Sequence, residues 1–168
     1  MAVGIEPNLD LPRALGLGID SGGVQVDGGL SASAGVYVGG DIAQHPHPVL
    51  GRTIRVEHWE VAKGHGRAIA AAIVDGDKPY AKLPYFWSDQ YDVNVEYRGQ
   101  ASGDDTAVWR GDREALSFSV FYQRAGVIDA VLSMNDSKTN EIGGKLIESR
   151  RVIDRKLLED QSSDLSTL

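Results

Sequence analysis

The sequence contains no cysteine among its 168 residues. Disulfides, thiolate metal sites, cysteine-ligated iron–sulfur clusters and cysteine nucleophiles are therefore excluded from this chain. It also lacks any apolar run near the roughly 18 residues that cross a bilayer. The start, MAVGIEPNLD, has neither the basic region nor the apolar core of a signal peptide. These absences predict a cytoplasmic protein with no membrane partner.

Positive charge is scarce as well. Lysine and arginine number 17 against 24 aspartates and glutamates, which leaves a net charge of −7. Nucleic-acid-binding proteins usually carry a basic stripe, so we expect no nucleic-acid partner. The hydrophobic content of 42% and charged content of 24% are typical of a globular protein. The length fits one ordinary domain or two small ones.

Glycine-rich phosphate-binding motifs are missing. GLGIDS has Gly16 and Gly18 but places Ser21 where G-x-G-x-x-G needs its third glycine, and GHGRAI fails at Ile69. Neither G-x-x-x-x-G-K-[ST] nor the G-x-S-x-G of serine hydrolases occurs. The chain by itself therefore predicts no phosphate cradle and no serine hydrolase.

His45 and His47, in AQHPHP, are the candidate metal ligands. Two imidazoles without a nearby cysteine or helical spacing are weak evidence, and Pro46 and Pro48 predict a stiff, exposed loop. We expect no metal site here.

The first half of the sequence predicts short elements and one long helix. A helix is expected from about Leu9 to Leu15, followed by a hairpin in LGIDSGGVQVD and a buried strand in GVYVGGDIA. Helical periodicity then runs from Val56 to Val74, with Glu57 and Glu60 in the first turn. One stripe of this helix carries small and apolar side chains: Trp59, Ala62, Gly66, Ile69, Ala70 and Ile73.

The second half predicts an antiparallel meander of three to five strands. DVNVEYRG alternates, TAVWRGD is a short strand, and two further strands meet near Arg124-Ala125-Gly126. Asn135 or Asp136 can cap a closing helix from about Ser137 to Arg150, which a glycine pair weakens. The fold class expected is α+β, with a boundary near Asp75 to Pro79.

Two features leave alternatives open when only the residues are considered. Asp41, after Gly39-Gly40, fits a cap, a metal ligand or a cofactor contact, and a structural turn residue is the more common case. Trp87, in LPYFWSDQYD, fits an aromatic cluster at a domain boundary or a ring that stacks on a flat ligand.

In order along the chain, these segments resemble the C-terminal third of FAD-dependent NAD(P)H:ferredoxin reductases. That group includes putidaredoxin, rubredoxin and rhodocoxin reductases and apoptosis-inducing-factor-like flavoproteins of the pyridine nucleotide-disulfide oxidoreductase superfamily. GVYVGGDIA is similar to the flavin motif, RVEHWEVAKGHGRAIAAAI to the helix after it, and PYFWSDQYD is the most specific piece. VWRGDREALSFSVFYQRAGVIDAV resembles the C-terminal sheet of the family.

The resemblance implies a division of the chain. Residues 1–77 would be the remnant of a Rossmann-like FAD-binding domain, residues 78–160 the reductase C-terminal α+β domain, and residues 161–168 a polar tail. The two upstream dinucleotide motifs of the family are absent, so we expect the chain to be truncated at its N-terminal side. Ala32, Gly39 and the segment Lys63-Gly64-His65 depart from the residues usual in the family.

The resemblance also implies roles for particular residues. Asp41 would hydrogen-bond a ribityl hydroxyl of FAD, with Gly40 allowing close approach. A helix beginning near Glu57 would direct the amides of His58 and Trp59 at the flavin pyrimidine, and Trp87 would lie beside the isoalloxazine. No residue is expected to act as acid, base or nucleophile.

The implied function is electron transfer from NAD(P)H through FAD to a ferredoxin or related iron–sulfur carrier. The isolated chain is expected to bind FAD weakly or not at all and to be inactive. The alternative is a non-catalytic homodimerisation or interaction module built on the C-terminal sheet and helix. Such a module has no need of Asp41, His58, Trp59 and Trp87 together, which favours the flavoenzyme.

Overall fold

The computed structural model describes residues 4–76 and 78–168. The chain divides into two units, Met1–Lys82 and Leu83–Leu168. Short strands with one long helix in the first unit, and an antiparallel sheet with helices in the second, confirm the predicted α+β class.

Short strands pair around a parallel centre in the first unit. The strands are β1 (Ile19–Asp20), β2 (Gly23–Gln25), β3 (Ser31–Ser33), β4 (Val36–Tyr37), β5 (Ala43–His47) and β6 (Arg52–Ile54). Four of them form a sheet in the order β1-β2-β5-β6, in which β2 and β5 are parallel and the other pairs antiparallel. β3 and β4 form a separate hairpin. The β1–β2 hairpin was predicted and is confirmed.

Within residues 4–76 and 78–82, the α-helices of the first unit are α1 (Asp10–Ala14) and α2 (Trp59–Asp75). Both were predicted, but the buried face of α2 was not. Trp59 and Ile73, on the predicted apolar stripe, are 61% and 67% exposed. The helix instead buries Val61, His65 and Ala72. The periodicity did not identify this face, because it detects bulky apolar residues better than a buried histidine, and many other side chains of α2 are small.

Five antiparallel strands make the sheet of the second unit. They are β7 (Tyr85–Gln90), β8 (Val93–Gly99), β9 (Thr106–Asp112), β10 (Ser117–Arg124) and β11 (Val127–Met134). Their order is β7-β8-β11-β10-β9. The predicted meander is therefore wrong in one connection, since β8 pairs with β11 and leaves β9 at the edge. That long-range pairing has no local signal in the sequence.

Helix α3 (Ser137–Ser149) covers one face of this sheet and begins where predicted, after the N-cap Asp136, whose carboxylate accepts from Thr139 N. The glycine pair expected to weaken the helix has a packing role. A Cβ on Gly143 would lie 2.7 Å from Val131 Cγ1, and one on Gly144 would lie 2.5 Å from Arg98 Cδ. Glycine here lets the helix approach the sheet closely, which offsets its lower helix propensity.

The C-terminal residues are held against the sheet by one arginine. Helix α4 (Arg155–Glu159) and a 3₁₀ turn (Leu165–Thr167) follow α3, and Leu165 is buried. The Arg110 guanidinium, from β9, donates to four backbone carbonyls at 2.5–3.2 Å: those of Leu158, Asp160, Gln161 and Ser163. The polar tail is thus part of the folded second unit.

Replacing this arginine tests that attachment. We expect Arg110→Gln to lower the free energy of unfolding by about 2–3 kcal/mol, because several charge-assisted hydrogen bonds are lost together. Residues 158–168 should also exchange amide hydrogens faster. Denaturant unfolding and hydrogen exchange measure the two effects. Arg113→Gln is the matched control, since Arg113 is exposed and lies 4.3 Å from the Trp109 ring, a contact worth roughly 0.5–1 kcal/mol. Equal stability of the two variants would show that Arg110 does not hold the C-terminal residues against the sheet.

Across residues 4–76 and 78–168, no helix combines the length and the hydropathy that crossing a bilayer requires.

Candidate flavin-contact site

The centre of the candidate site is the turn that follows β4. Val36, Tyr37 and Val38 are half-buried, so the predicted buried strand is wrong in its burial: it is a short hairpin strand paired with β3. Gly40, at a φ of +78°, begins a 3₁₀ turn that ends at Ile42. Such a φ strains any residue with a Cβ, so the position favours glycine.

Asp41 projects from this turn into solvent. Its carboxylate makes no hydrogen bond or ion pair within the parts of the chain that the structure describes, whereas its backbone carbonyl accepts from Arg55 Nη1 at 2.8 Å. The backbone is therefore fixed while the carboxylate keeps its full capacity to accept hydrogen bonds.

The turn lies directly on helix α2. A Cβ on Gly39 would lie 3.0 Å from Ile69 Cδ1 and 3.1 Å from His65 Cβ. A Cβ on Gly40 would lie 3.5 Å from Ala62 Cβ. The glycine pair therefore allows close packing of the turn on the helix, and this contact fixes the position of Asp41.

Arg55 connects the turn to the start of α2, and sequence reasoning missed it. The same Nη1 that bonds the Asp41 carbonyl lies 2.7 Å from Glu57 Oε1. Glu57 precedes the helix and is not in its first turn, which corrects the prediction. His58 has an extended backbone, with φ −153° and ψ 140°, so the helix begins at Trp59.

The N-terminus of α2 is capped by a histidine. Nδ1 of His58 accepts from the amide of Glu60 at 3.2 Å. Amides of a first helical turn have no carbonyl acceptor within the helix, and the helix dipole places its positive end there. The Trp59 ring is largely exposed, with Lys63 Nζ 4.4 Å from its centroid. The capping residue His58 and the exposed indole of Trp59 therefore lie side by side at the N-terminus of α2.

Three histidines form a buried cluster behind the turn. His45, His47 and His65 are each 1% exposed, so the predicted exposed loop at His45 and His47 is wrong. Both lie on β5, and the ring centroid of His45 is 5.8 Å from His47 and 5.0 Å from His65. Tyr80 closes the cluster, with its ring centroid 4.7 Å from that of His65.

Hydrogen bonds define the neutral form of His47, and burial lowers the pKa of all three histidines. His47 Nδ1 accepts from Leu50 N at 3.3 Å, and its Nε2 donates to the Lys82 carbonyl at 3.1 Å. Burial, followed by the neighbouring histidines, lowers the pKa of His45 and of His65 to about 4. Burial also lowers the pKa of His47. The cluster is therefore neutral near pH 7.

Among residues 4–76 and 78–168, no group of three or more histidine, aspartate or glutamate side chains is arranged to hold a metal ion.

Trp87 belongs to the second unit, where it lies on β7 and is 44% exposed. Its ring stacks on Tyr85, with centroids 5.8 Å apart and planes 24° apart. Tyr85 donates from its hydroxyl to Glu96 Oε1 at 2.7 Å, and burial followed by this bond raises its pKa to about 12. The guanidinium carbon of Arg98 lies 4.4 Å from the centroid of the Tyr85 ring. Trp87 is thus an ordered, half-exposed ring on an edge strand, which the sequence did not predict to be a strand.

The predicted residues therefore fall into two groups. The first unit brings Gly40 and Asp41 against helix α2, and Arg55 links Asp41 to Glu57 at the helix start, beside His58 and Trp59. Trp87 lies in the second unit.

Known proteins are similar over almost the whole chain. The chain is 34% identical over 169 residues to the ferredoxin–NAD(+) reductase component of the anthranilate 1,2-dioxygenase system of Burkholderia cepacia, covering 99% of this chain and 41% of that protein. The crystal structure of the ferredoxin reductase for the CYP199A2 system from Rhodopseudomonas palustris has a TM-score of 0.88 at 32% identity, covering 99% and 41% of the two chains.

A third comparison involves a complex. The crystal structure of the covalent putidaredoxin reductase–putidaredoxin complex matches with a TM-score of 0.87 at 29% identity, over 96% of this chain and 39% of that one. The chain spans about two-fifths of the length of these relatives. The family model described as Reductase C-terminal matches residues 85–168, the greater part of the second unit. The resemblance to ferredoxin reductases is thereby confirmed, and the chain belongs to the Reductase C-terminal family.

Proposed function

We propose that this chain forms part of a flavoprotein oxidoreductase that passes electrons from NAD(P)H through FAD to a ferredoxin-type iron–sulfur carrier. The observation that carries the proposal is Asp41: an exposed carboxylate, without a side-chain partner in the described residues, on a turn that glycine, Arg55 and helix α2 hold in place. A carboxylate needed only as a cap would be bonded to a nearby amide. The ferredoxin reductases named above support the reaction class.

The residues present fit a flavin. An ionised carboxylate accepts strong hydrogen bonds from hydroxyls, and FAD carries hydroxyls on its ribityl chain. Asp41 would accept one of these, and Gly40, with no side chain, leaves the approach open. The N-terminus of α2, at His58 and Trp59, supplies amides and a positive dipole end that stabilise negative charge.

The other predicted contacts take supporting roles. Glu57 holds the Arg55 guanidinium that fixes the Asp41 carbonyl, so it acts through the turn. Trp59, in the first unit, offers an exposed indole face that can lie against a flat ring and exclude water from it, and Trp87 offers an exposed face in the second unit. When bound, the flavin supplies hydride acceptance and single-electron release, and the protein supplies position and electrostatics.

The isolated chain is expected to bind FAD with a dissociation constant above about 10 µM, which corresponds to a binding free energy of roughly −7 kcal/mol. Its sequence contains no G-x-G-x-x-G phosphate cradle, so the adenylate half of the cofactor has no motif to hold it. A titration of free FAD, followed by flavin fluorescence, measures this affinity. Tight, stoichiometric binding by the chain alone would show that the cradle is not needed.

The proposed function is tested in a chimera in which this chain replaces the matching 41% of the Burkholderia cepacia reductase. We expect Asp41→Ala to raise the dissociation constant for FAD by about 10- to 100-fold, the effect of losing a charge-assisted hydrogen bond of roughly 1.4–2.7 kcal/mol. Asp75→Ala is the matched control, because Asp75 is also exposed but lies at the opposite end of α2.

Two results would overturn the proposal. One is an unchanged FAD affinity in Asp41→Ala. The other is a folded chimera that self-associates but binds no FAD, which would favour a homodimerisation module without catalysis.

A further inference from the structure

His65 contacts the Gly40–Asp41 turn from its buried side. It lies on α2, and its Nδ1 accepts a hydrogen bond from the amide of Gly40 at 3.1 Å. Gly40 immediately precedes Asp41 and carries the left-handed φ of +78° on which the turn depends. A bond to this amide therefore fixes the direction in which the chain presents the Asp41 carboxylate.

The other ring nitrogen defines the protonation state. A nitrogen that accepts a hydrogen bond carries no proton, so the neutral His65 ring carries its proton on Nε2. Nε2 is buried and has no hydrogen-bond partner among residues 4–76 and 78–168. A buried polar group without a partner costs about 1–3 kcal/mol, which the bond accepted by Nδ1 partly offsets. The bond from Nδ1 to the turn is the only polar contact of this ring in the described part of the chain.

We propose that His65 is a positioning residue for FAD binding. Its unprotonated Nδ1 holds the Gly40–Asp41 turn in place. The inference rests on the proposed function, because it assigns His65 a role toward the same cofactor. Protonation of the imidazole would place a proton on Nδ1 and remove the acceptor for the Gly40 amide, so the turn would lose this one of its attachments. Only the neutral form of His65 can therefore accept this bond from the Gly40 amide.

The groups around His65 keep it neutral. His45 faces its ring from β5, with His47 next along that strand, and Tyr80 faces it from the segment after α2. Glu60, whose charge acts on Tyr80, is paired with Lys82 at 3.3 Å. Burial and the two neighbouring imidazoles lower the pKa of His65 to about 4. The cluster thus protects the acceptor on Nδ1 well below neutral pH.

The first test uses the chain itself and needs no flavin. Long-range ¹H–¹⁵N correlation spectra at pH 7 should show His65 with a proton on Nε2 and none on Nδ1. The Gly40 amide should exchange at least about tenfold faster in His65→Leu, which has no acceptor, than in His65→Gln, whose side-chain oxygen can accept the same bond. A proton on Nδ1, or equal exchange in the two variants, would overturn the inference.

The second test measures FAD affinity in the chimera. His65→Leu should raise the dissociation constant about tenfold, whereas His65→Gln should stay within about threefold of the unsubstituted protein. His45→Phe is the matched control, because His45 is equally buried in the same cluster and makes no bond to the turn. Thermal unfolding of each variant separates loss of affinity from loss of structure.

The outcomes separate the two proposals. Equal FAD affinity in folded His65→Leu and unsubstituted chimera would overturn the positioning role and leave the proposed function intact. Failure of the unsubstituted chimera to bind FAD would overturn the proposed function and, with it, this role, even if the Gly40 bond is present in the spectra.

Discussion

Lowering the pH from 7 to 4.5 is expected to destabilise the first unit by several kcal/mol. The pKa of both His45 and His65 is lowered from 6.5 to about 4 in the folded protein, chiefly by burial. In the unfolded chain they bind protons near pH 6.5, and in the folded chain only near pH 4. The unfolded state therefore binds more protons throughout this window, and stability falls as the pH falls.

The size of the effect follows from the shifts. One pKa unit corresponds to about 1.4 kcal/mol, so each of the two histidines removes about 3 kcal/mol by pH 4. Above pH 6.5 neither residue contributes a pH dependence. Between the two pKa values, each contributes a slope of about 1.4 kcal/mol per pH unit. His47, with a lowered pKa of its own, acts in the same direction.

Hydrogen exchange of α2 amides between pH 6.5 and 4.5, corrected for the intrinsic exchange rate, measures this slope within the first unit. Amides of β10 and β11 are the internal reference, because the second unit contains none of the four histidines. His45→Phe should reduce the slope by about 1.4 kcal/mol per pH unit. An unchanged slope in that variant would show that the buried cluster does not govern acid sensitivity.

In the second unit, Asp129→Asn is expected to lower the free energy of unfolding by about 3–5 kcal/mol. The Asp129 carboxylate is buried on β11, with Oδ1 2.8 Å from Arg150 Nη1 and Oδ2 2.9 Å from Arg124 Nη2. The substitution keeps the shape of the side chain but leaves two guanidinium groups without their counterion. Arg150, in a left-handed backbone conformation with a φ of 52° at the end of α3, would also lose an anchor.

Chemical denaturation of the second unit, followed through Trp109, gives the free energy for this variant. Glu159→Gln is the control, because Glu159 forms an exposed pair with Arg155 at 2.6 Å, and exposed pairs contribute about 0–1 kcal/mol. If the two variants were equally stable, the buried carboxylate would not be an important structural charge.

Features with a local cause could be predicted from the sequence. The β10–β11 hairpin turns at Arg124-Ala125-Gly126, and α3 begins at the Asp136 cap, because turn and cap chemistry lie within a few residues. The pairing of β8 with β11 could not be predicted in this way. Alternating strands carry no mark of which distant strand they will pair with, so a meander was the simplest order.

The candidate site shows the same division. The glycine pair and Asp41 were visible as a motif, and the resemblance supplied a cofactor for them. Arg55 was missed because a link from an arginine to a backbone carbonyl has no sequence signature. The burial of His45 and His47 was missed for a different reason: histidine among prolines is typical of a loop, and only tertiary packing makes it a buried core residue.

The flavin content of the purified chimera tests the central claim most directly. If this chain supplies the Asp41 wall of a flavin pocket, the folded chimera, verified by circular dichroism, should carry one FAD per polypeptide. The visible absorption spectrum and protein concentration give that ratio. A correctly folded chimera that carries no flavin, even after incubation with excess FAD, would contradict the account.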